Sequence, residues 1–88
     1  MKEFNYTVKD KNGIHARPAG MIVSVAKTFV ASIKIRCGEK EADAKRLLSV
    51  MALGATYGKE LTFIIDGIDE EKAEKELKAL LSESAFQG

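Results

Sequence analysis

Short stretches in which apolar and polar residues alternate one by one constrain this chain more than any other feature. In residues 3 to 8, Phe4, Tyr6 and Val8 point one way and Glu3, Asn5 and Thr7 the other. Residues 32 to 37 set Ile33, Ile35 and Cys37 against Ser32, Lys34 and Arg36, and "LTFIID" at 61 to 66 reads as another such segment. Successive side chains of a strand face opposite sides of its sheet, so each segment is predicted to be a strand with one dry and one wet face. Gly38 turns the second strand into a short partner near residues 40 to 43, which reads as a hairpin. Strands of this kind demand a sheet that is covered on one face only.

The cover comes from segments with helical period. From about residue 16 to 29, Pro18, Ile22, Val25, Ala26 and Phe29 share one face while Lys27 and Thr28 look to solvent. Pro18 falls in the first turn, where amides have no intrahelical partner to lose. "AKRLLSVMALG", residues 44 to 54, predicts a short helix ending at Gly54 as a C-terminal glycine cap. Asp69 is the expected N-cap of a last helix, with Glu70 and Glu71 in its first turn and Ala73, Leu77, Leu80 and Leu81 as its buried stripe. Glu71–Lys75 and Glu74–Lys78 are the expected ion pairs on its exposed face. The order strand, helix, strand, strand, helix, strand, helix predicts one α+β domain over residues 1–88, a two-layer sandwich with an antiparallel or mixed sheet.

Composition narrows the function classes. Fourteen basic and thirteen acidic residues leave a formal charge of +1, which is no footprint for nucleic acid. Cys37 is the single cysteine, so no internal disulfide forms, in keeping with a reducing compartment. One histidine and one cysteine make no metal-ligand set. "MKEFNYTV" lacks the apolar core of a signal peptide, and no apolar run approaches the ~18 residues of a membrane span. The expectation is a cytoplasmic protein without cofactor or metal.

The chemistry concentrates in "NGIHARPAG", residues 12 to 20, which holds the only histidine and the only proline with an arginine between them. His15 falls at the junction of loop and helix, at or near the N-cap. Histidine is a poor N-cap beside Ser, Asp or Asn, so helix stability alone does not account for it. A phosphoryl acceptor would. Neutral imidazole is a nucleophile, and the anion it becomes is stabilised by free amides and the helix dipole. Arg17 adds a guanidinium for phosphate oxygens. Taken residue by residue, an ordinary loop histidine, a solvated arginine and a first-turn proline remain an open reading. So does a short helix buried all round at "KRLLSVMALG", where Leu47, Leu48 and Met51 share one side and Val50 and Leu53 the other; the competing reading is a docking face rimmed by Lys45 and Arg46.

"GIHARPA" followed by a helix, with "AKRLLSVMALG" some thirty residues later, resembles the HPr family of the bacterial sugar phosphotransferase system across essentially the whole chain. The resemblance implies an open-faced β-sandwich with a four-stranded antiparallel sheet and three helices on one face. It implies a phosphocarrier rather than a catalyst. His15 would take a phosphoryl group on its δ nitrogen from enzyme I, itself charged by phosphoenolpyruvate, and pass it to an enzyme IIA. Arg17 and the amides of Ala16 and Arg17 would hold the phosphate. The partner surface would combine Gly20 and Met21 with Leu47, Leu48 and Met51, on a monomer expected to bind no nucleic acid and to insert into no membrane. One position departs: Arg46 stands where low-GC Gram-positive members carry a regulatory serine, and Ser49 lies a turn later on another side of the helix. Two alternatives are a paralogue in a nitrogen-related phosphorelay and a pure interaction module. A module that binds RNA would want aromatic platforms on exposed strands, whereas Tyr6 and Phe63 fall at core positions.

Overall fold

The computed structural model describes residues 1–87. The strands are β1 (Lys2–Thr7), β2 (Ser32–Cys37), β3 (Lys40–Asp43) and β4 (Glu60–Asp66), and the helices are α1 (Ala16–Ala26), α2 (Leu47–Met51) and α3 (Glu70–Leu81). A single 3₁₀ turn, Ser84–Phe86, follows and was not foreseen from the sequence. The sheet order is β1-β4-β2-β3 and every pairing is antiparallel, so β4 inserts between the first two strands.

Register turns the alternation into a core. Phe4 lies opposite Phe63, Phe63 opposite Ile35, and Ile35 opposite Ala42, one apolar row across all four strands. The rings of Phe4 and Phe63 stack with centroids 4.9 Å apart. Phe63, Ile35, Ile33, Ile65 and Leu61 are buried, while Phe4 and Tyr6 on the edge strand are half-buried. From the other layer come Ile22, Ala26, Ala73 and Leu77. The opposite face of the sheet carries polar side chains that answer one another: Thr62 Oγ1 donates to Asn5 Oδ1 (2.9 Å), and Glu41 sits between Lys34 (3.8 Å) and Arg36 (3.4 Å).

Several local expectations are corrected. First, α1 ends at Ala26 rather than Phe29. Thr28 brings both its backbone N–H and its hydroxyl to the Val25 carbonyl, and Lys45 Nζ donates to the Phe29 carbonyl at 2.7 Å, so tertiary partners replace the helical ladder. Val23 is buried where Val25 was expected, and Val25 is half-buried. Second, α2 is only Leu47–Met51, because Asp43 accepts the Lys45 N–H at 2.9 Å and holds residues 44 to 46 in a turn. Gly54 does take the left-handed conformation, at φ 64°. Third, Asp69 occupies the N-cap of α3 without capping it. Its carboxylate instead accepts the N–H groups of Val30 and Ala31, each at 2.8 Å, and locks the turn after α1 onto the start of α3. Of the two ion pairs, Glu74–Lys78 forms at 3.6 Å, whereas Glu71 turns to Lys2 at 3.7 Å; exposed pairs of this kind contribute little.

The Asp69 latch has a pH signature. Its two backbone N–H partners, Val30 foremost, hold the carboxyl below the usual carboxylate range. A group with a depressed folded-state pKa stabilises the fold above its unfolded value, and the contribution is lost as pH falls through the folded value. Asp69→Asn is therefore expected to melt below the wild type at neutral pH, with the gap narrowing in the acid range below the usual carboxylate value. Thermal unfolding of both proteins across pH checks this.

Candidate functional site

The loop between β1 and α1 is built on Asp10. Its backbone carbonyl accepts the Gly13 N–H (2.9 Å), and its carboxylate Oδ1 accepts the Asn12 N–H (2.8 Å). Ile14 then donates to the Ala55 carbonyl at 2.9 Å and buries its side chain, which ties the loop to the turn after α2. Gly13 makes that approach possible. It has φ 70°, and a Cβ placed on it would lie 2.5 Å from the Ala55 carbonyl oxygen.

This anchored loop delivers His15 to the N-cap of α1 in an extended conformation, φ −86° and ψ −169°. The imidazole caps nothing. The His15 carbonyl accepts the Ala19 N–H at 3.0 Å, and Pro18 has no N–H to offer. Of the first-turn amides this leaves those of Ala16 and Arg17 with no helical acceptor, beside the imidazole and at the positive end of the helix. The His15 side chain is 43% exposed, and its Nε2 lies 3.7 Å from Asp10 Oδ2. Arg17 is exposed and takes part in no ion pair among the described residues. Together Asp10, His15, Arg17, Pro18, Ser84 and Ala85 line an open depression of about 350 Å³.

Asp10, Ser84 and Ala85 are the members that sequence reading missed. Asp10 had a local signal, since an aspartate two residues before an amide is the pattern of an Asx turn. Ser84 and Ala85 had none, because only the tertiary fold brings the C-terminal turn to the start of α1. Tyr6 Oη donates to the Phe86 carbonyl at 2.6 Å, and Gln87 Nε2 donates to the Leu81 carbonyl at 2.7 Å, fixing that turn in place. Burial raises the Tyr6 phenol above its ordinary range, so the hydroxyl keeps the proton it donates.

The residues singled out as a partner surface fall on two neighbouring helices that pack together. Ala16, Arg17, Gly20 and Met21 line one shallow groove with Ser24, Val25 and Leu80. A Cβ on Gly20 would meet nothing within 4 Å, so no intramolecular contact requires glycine there. Leu47, Leu48 and Met51 lie outside that groove, on α2, with exposures of 41%, 80% and 40%, while Val50 and Leu53 beneath them are at 1% and 4%. The helix is thus apolar on both sides with only one side buried. Arg46, at its N-cap, pairs with Asp43 at 3.6 Å and is well exposed. No described helix is long and apolar enough to cross a membrane.

A protein-family model, described as the PTS HPr component phosphorylation site, matches residues 2–83. The phosphocarrier protein HPr of Lysinibacillus sphaericus is 42% identical over 83 residues, covering 94% of both chains. A solved histidine-containing phosphocarrier protein of Mycoplasma superposes with a TM-score of 0.94 at 34% identity, over 99% of this chain and 100% of its own. The HPr structure of Thermoanaerobacter tengcongensis gives a TM-score of 0.88 at 38% identity, over 100% of this chain and 98% of its own. An open four-stranded antiparallel sheet under three helices, reached independently from the register and the packing, agrees with these likenesses, and the chain belongs to the HPr family of phosphocarrier proteins of the phosphotransferase system.

Proposed function

We propose that His15 carries a phosphoryl group between two partner proteins, accepting it from enzyme I charged by phosphoenolpyruvate and giving it to an enzyme IIA for sugar uptake. One observation carries the reading: an exposed, non-capping imidazole stands at a helix N-terminus whose two uncommitted amides, Ala16 and Arg17, flank it, with the Arg17 guanidinium unpaired among the described residues. Phosphoryl transfer depends mostly on positioning and on stabilising spread negative charge, and this corner supplies both. The amides and Arg17 hold the phosphate, and Pro18 stiffens the junction. The protein is a substrate of its partners rather than a catalyst, a cytoplasmic monomer that needs no cofactor or metal. Arg46 has no hydroxyl to esterify, so a serine-directed kinase has no target at that position.

Incubation with enzyme I and phosphoenolpyruvate is expected to add one phosphoryl group by intact mass, labile to acid and stable to base, which enzyme IIA then removes. A mass unchanged by enzyme I, or a group that enzyme IIA leaves in place, contradicts the reading.

Docking is assigned to Gly20 and Met21 with Leu47, Leu48 and Met51. Met51→Glu separates this from a core role. At 40% exposure the new carboxylate keeps its water, so the circular dichroism spectrum and melting curve are expected to stay near wild type. Removing an apolar anchor from the middle of a contact typically costs about 1–2 kcal/mol, so the KM for enzyme I should rise about tenfold. An unfolded variant would place Met51 in the core.

A further inference from the structure

The contact between His15 and Asp10 has a use that the carrier role does not by itself require. The Asp10 carboxylate is divided: Oδ1 is engaged by the Asn12 N–H at 2.8 Å, and Oδ2 faces His15 Nε2 at 3.7 Å. That separation is longer than a hydrogen bond and within ion-pair reach. The carboxylate is also fixed in place. Its own residue closes the loop through the Gly13 N–H, and its side chain is only 22% exposed. A loop brace would need one oxygen on Asn12, which a neutral asparagine supplies as well. The second oxygen faces Nε2, the ring nitrogen that the proposed chemistry leaves unphosphorylated.

We infer that Asp10 is a positioning residue for the transfer, resting on the reading of His15 as the acceptor. Its Oδ2 favours the ring form with the proton on Nε2, which leaves the lone pair of Nδ1 free. In the forward step that lone pair forms the N–P bond. The bond from phosphorus to the donor breaks, and its electrons stay with the donor. Nε2 keeps its proton throughout, so the ring becomes an imidazolium whose positive charge lies against the Asp10 carboxylate. In the second step a nucleophile of the acceptor protein forms its bond to phosphorus as the N–P bond breaks; the N–P electron pair returns to Nδ1, and the ring leaves as neutral imidazole with the same proton on Nε2. A carboxylate that orients a histidine and balances its charge is the arrangement used in acyl-transfer triads, here applied to an acceptor nitrogen. Contacts of this kind are often long before the charge develops and tighten when it does.

Asp10→Asn tests the inference, because asparagine can still accept the Asn12 N–H while turning its NH₂ toward Nε2. Long-range ¹H–¹⁵N spectra of the unphosphorylated proteins read the tautomer directly. The share of the Nε2–H form is expected to fall in the variant. The kcat of phosphorylation by enzyme I should drop about tenfold, less than in a buried triad because the site is open to water, with the KM for enzyme I unchanged. The phosphorylated variant should also lose its phosphate to water more slowly at neutral pH, since the protonated ring is the better leaving group. Asp10→Glu, which keeps the charge, is expected to recover part of the rate. An unaltered tautomer balance together with wild-type kcat in Asp10→Asn would overturn the inference and leave Asp10 a loop brace. Equal losses in Asp10→Asn and Asp10→Glu with a displaced loop would overturn it too. A wild-type protein that enzyme I does not phosphorylate would instead sink the carrier reading, and the tautomer comparison would still decide whether Asp10 orients the ring.

Discussion

His15→Ala will accept no phosphoryl group from enzyme I, and it will fold as the wild type does. Both halves follow from the same geometry. The imidazole is the only ring nitrogen nucleophile in the chain, and it stands at the one helix start where the Ala16 and Arg17 amides are uncommitted. Without it the corner keeps its two uncommitted amides and Arg17 but has no nucleophile to bond phosphorus. The fold loses almost nothing, because the side chain makes no capping bond and is 43% exposed. Surface substitutions of this type usually stay within about 0.5 kcal/mol of the parent. Intact mass after incubation with enzyme I and phosphoenolpyruvate reads the first half, and a urea unfolding curve reads the second. Residual phosphate in the variant would move the acceptor elsewhere. A large loss of stability would make His15 a structural residue.

Gly13→Ala will have the opposite profile. The variant is expected to lose about 3 kcal/mol, from a non-glycine residue forced into the left-handed region and from a Cβ driven against backbone. The clash is with the Ala55 carbonyl oxygen at 2.5 Å, the same oxygen that accepts the Ile14 N–H. The loop cannot retreat without breaking that bond and exposing Ile14, which is buried. For a domain whose whole stability is of the order of 5–15 kcal/mol, that loss is a large share. Transfer should fall as well, since the displaced loop carries His15 away from its amides. The midpoint of urea unfolding and the transfer rate of the same preparation check both. A Gly13→Ala protein with wild-type stability would show that the loop is free to move, and the account of how His15 is placed would fail.

Much of this architecture was readable before any coordinates. The alternation at 32–37, and at 61–66 where only Ile64 breaks it, matches the buried rows of β2 and β4 because a one-residue slip would have put Ile33, Ile35, Phe63 and Ile65 into water. The two-sided apolar character of α2 was also visible, but periodicity could not say which side faced solvent, since that depends on where α1 and β3 lie. Helix ends were misread where distant groups intervene. Nothing near Ala26 announces that Lys45 takes the Phe29 carbonyl, or that Asp69 takes two amides nearly forty residues away. The site shows the same division. His15, Arg17 and the amide pair follow from one contiguous motif. Ser84 and Ala85 join it only through the C-terminal turn that Tyr6 and Gln87 hold.

The central claim is that one named atom of this chain, Nδ1 of His15, bears the transferred group. Phosphorylating ¹⁵N-histidine-labelled protein with enzyme I and phosphoenolpyruvate and recording ¹⁵N spectra with and without ³¹P decoupling tests it without any substitution. The expected result is a single phosphorus coupled to Nδ1, with the proton retained on Nε2. Phosphorus coupled to Nε2, or a phosphoryl group that couples to neither ring nitrogen and maps to a hydroxyl such as that of Ser49 or Ser84, would contradict the account.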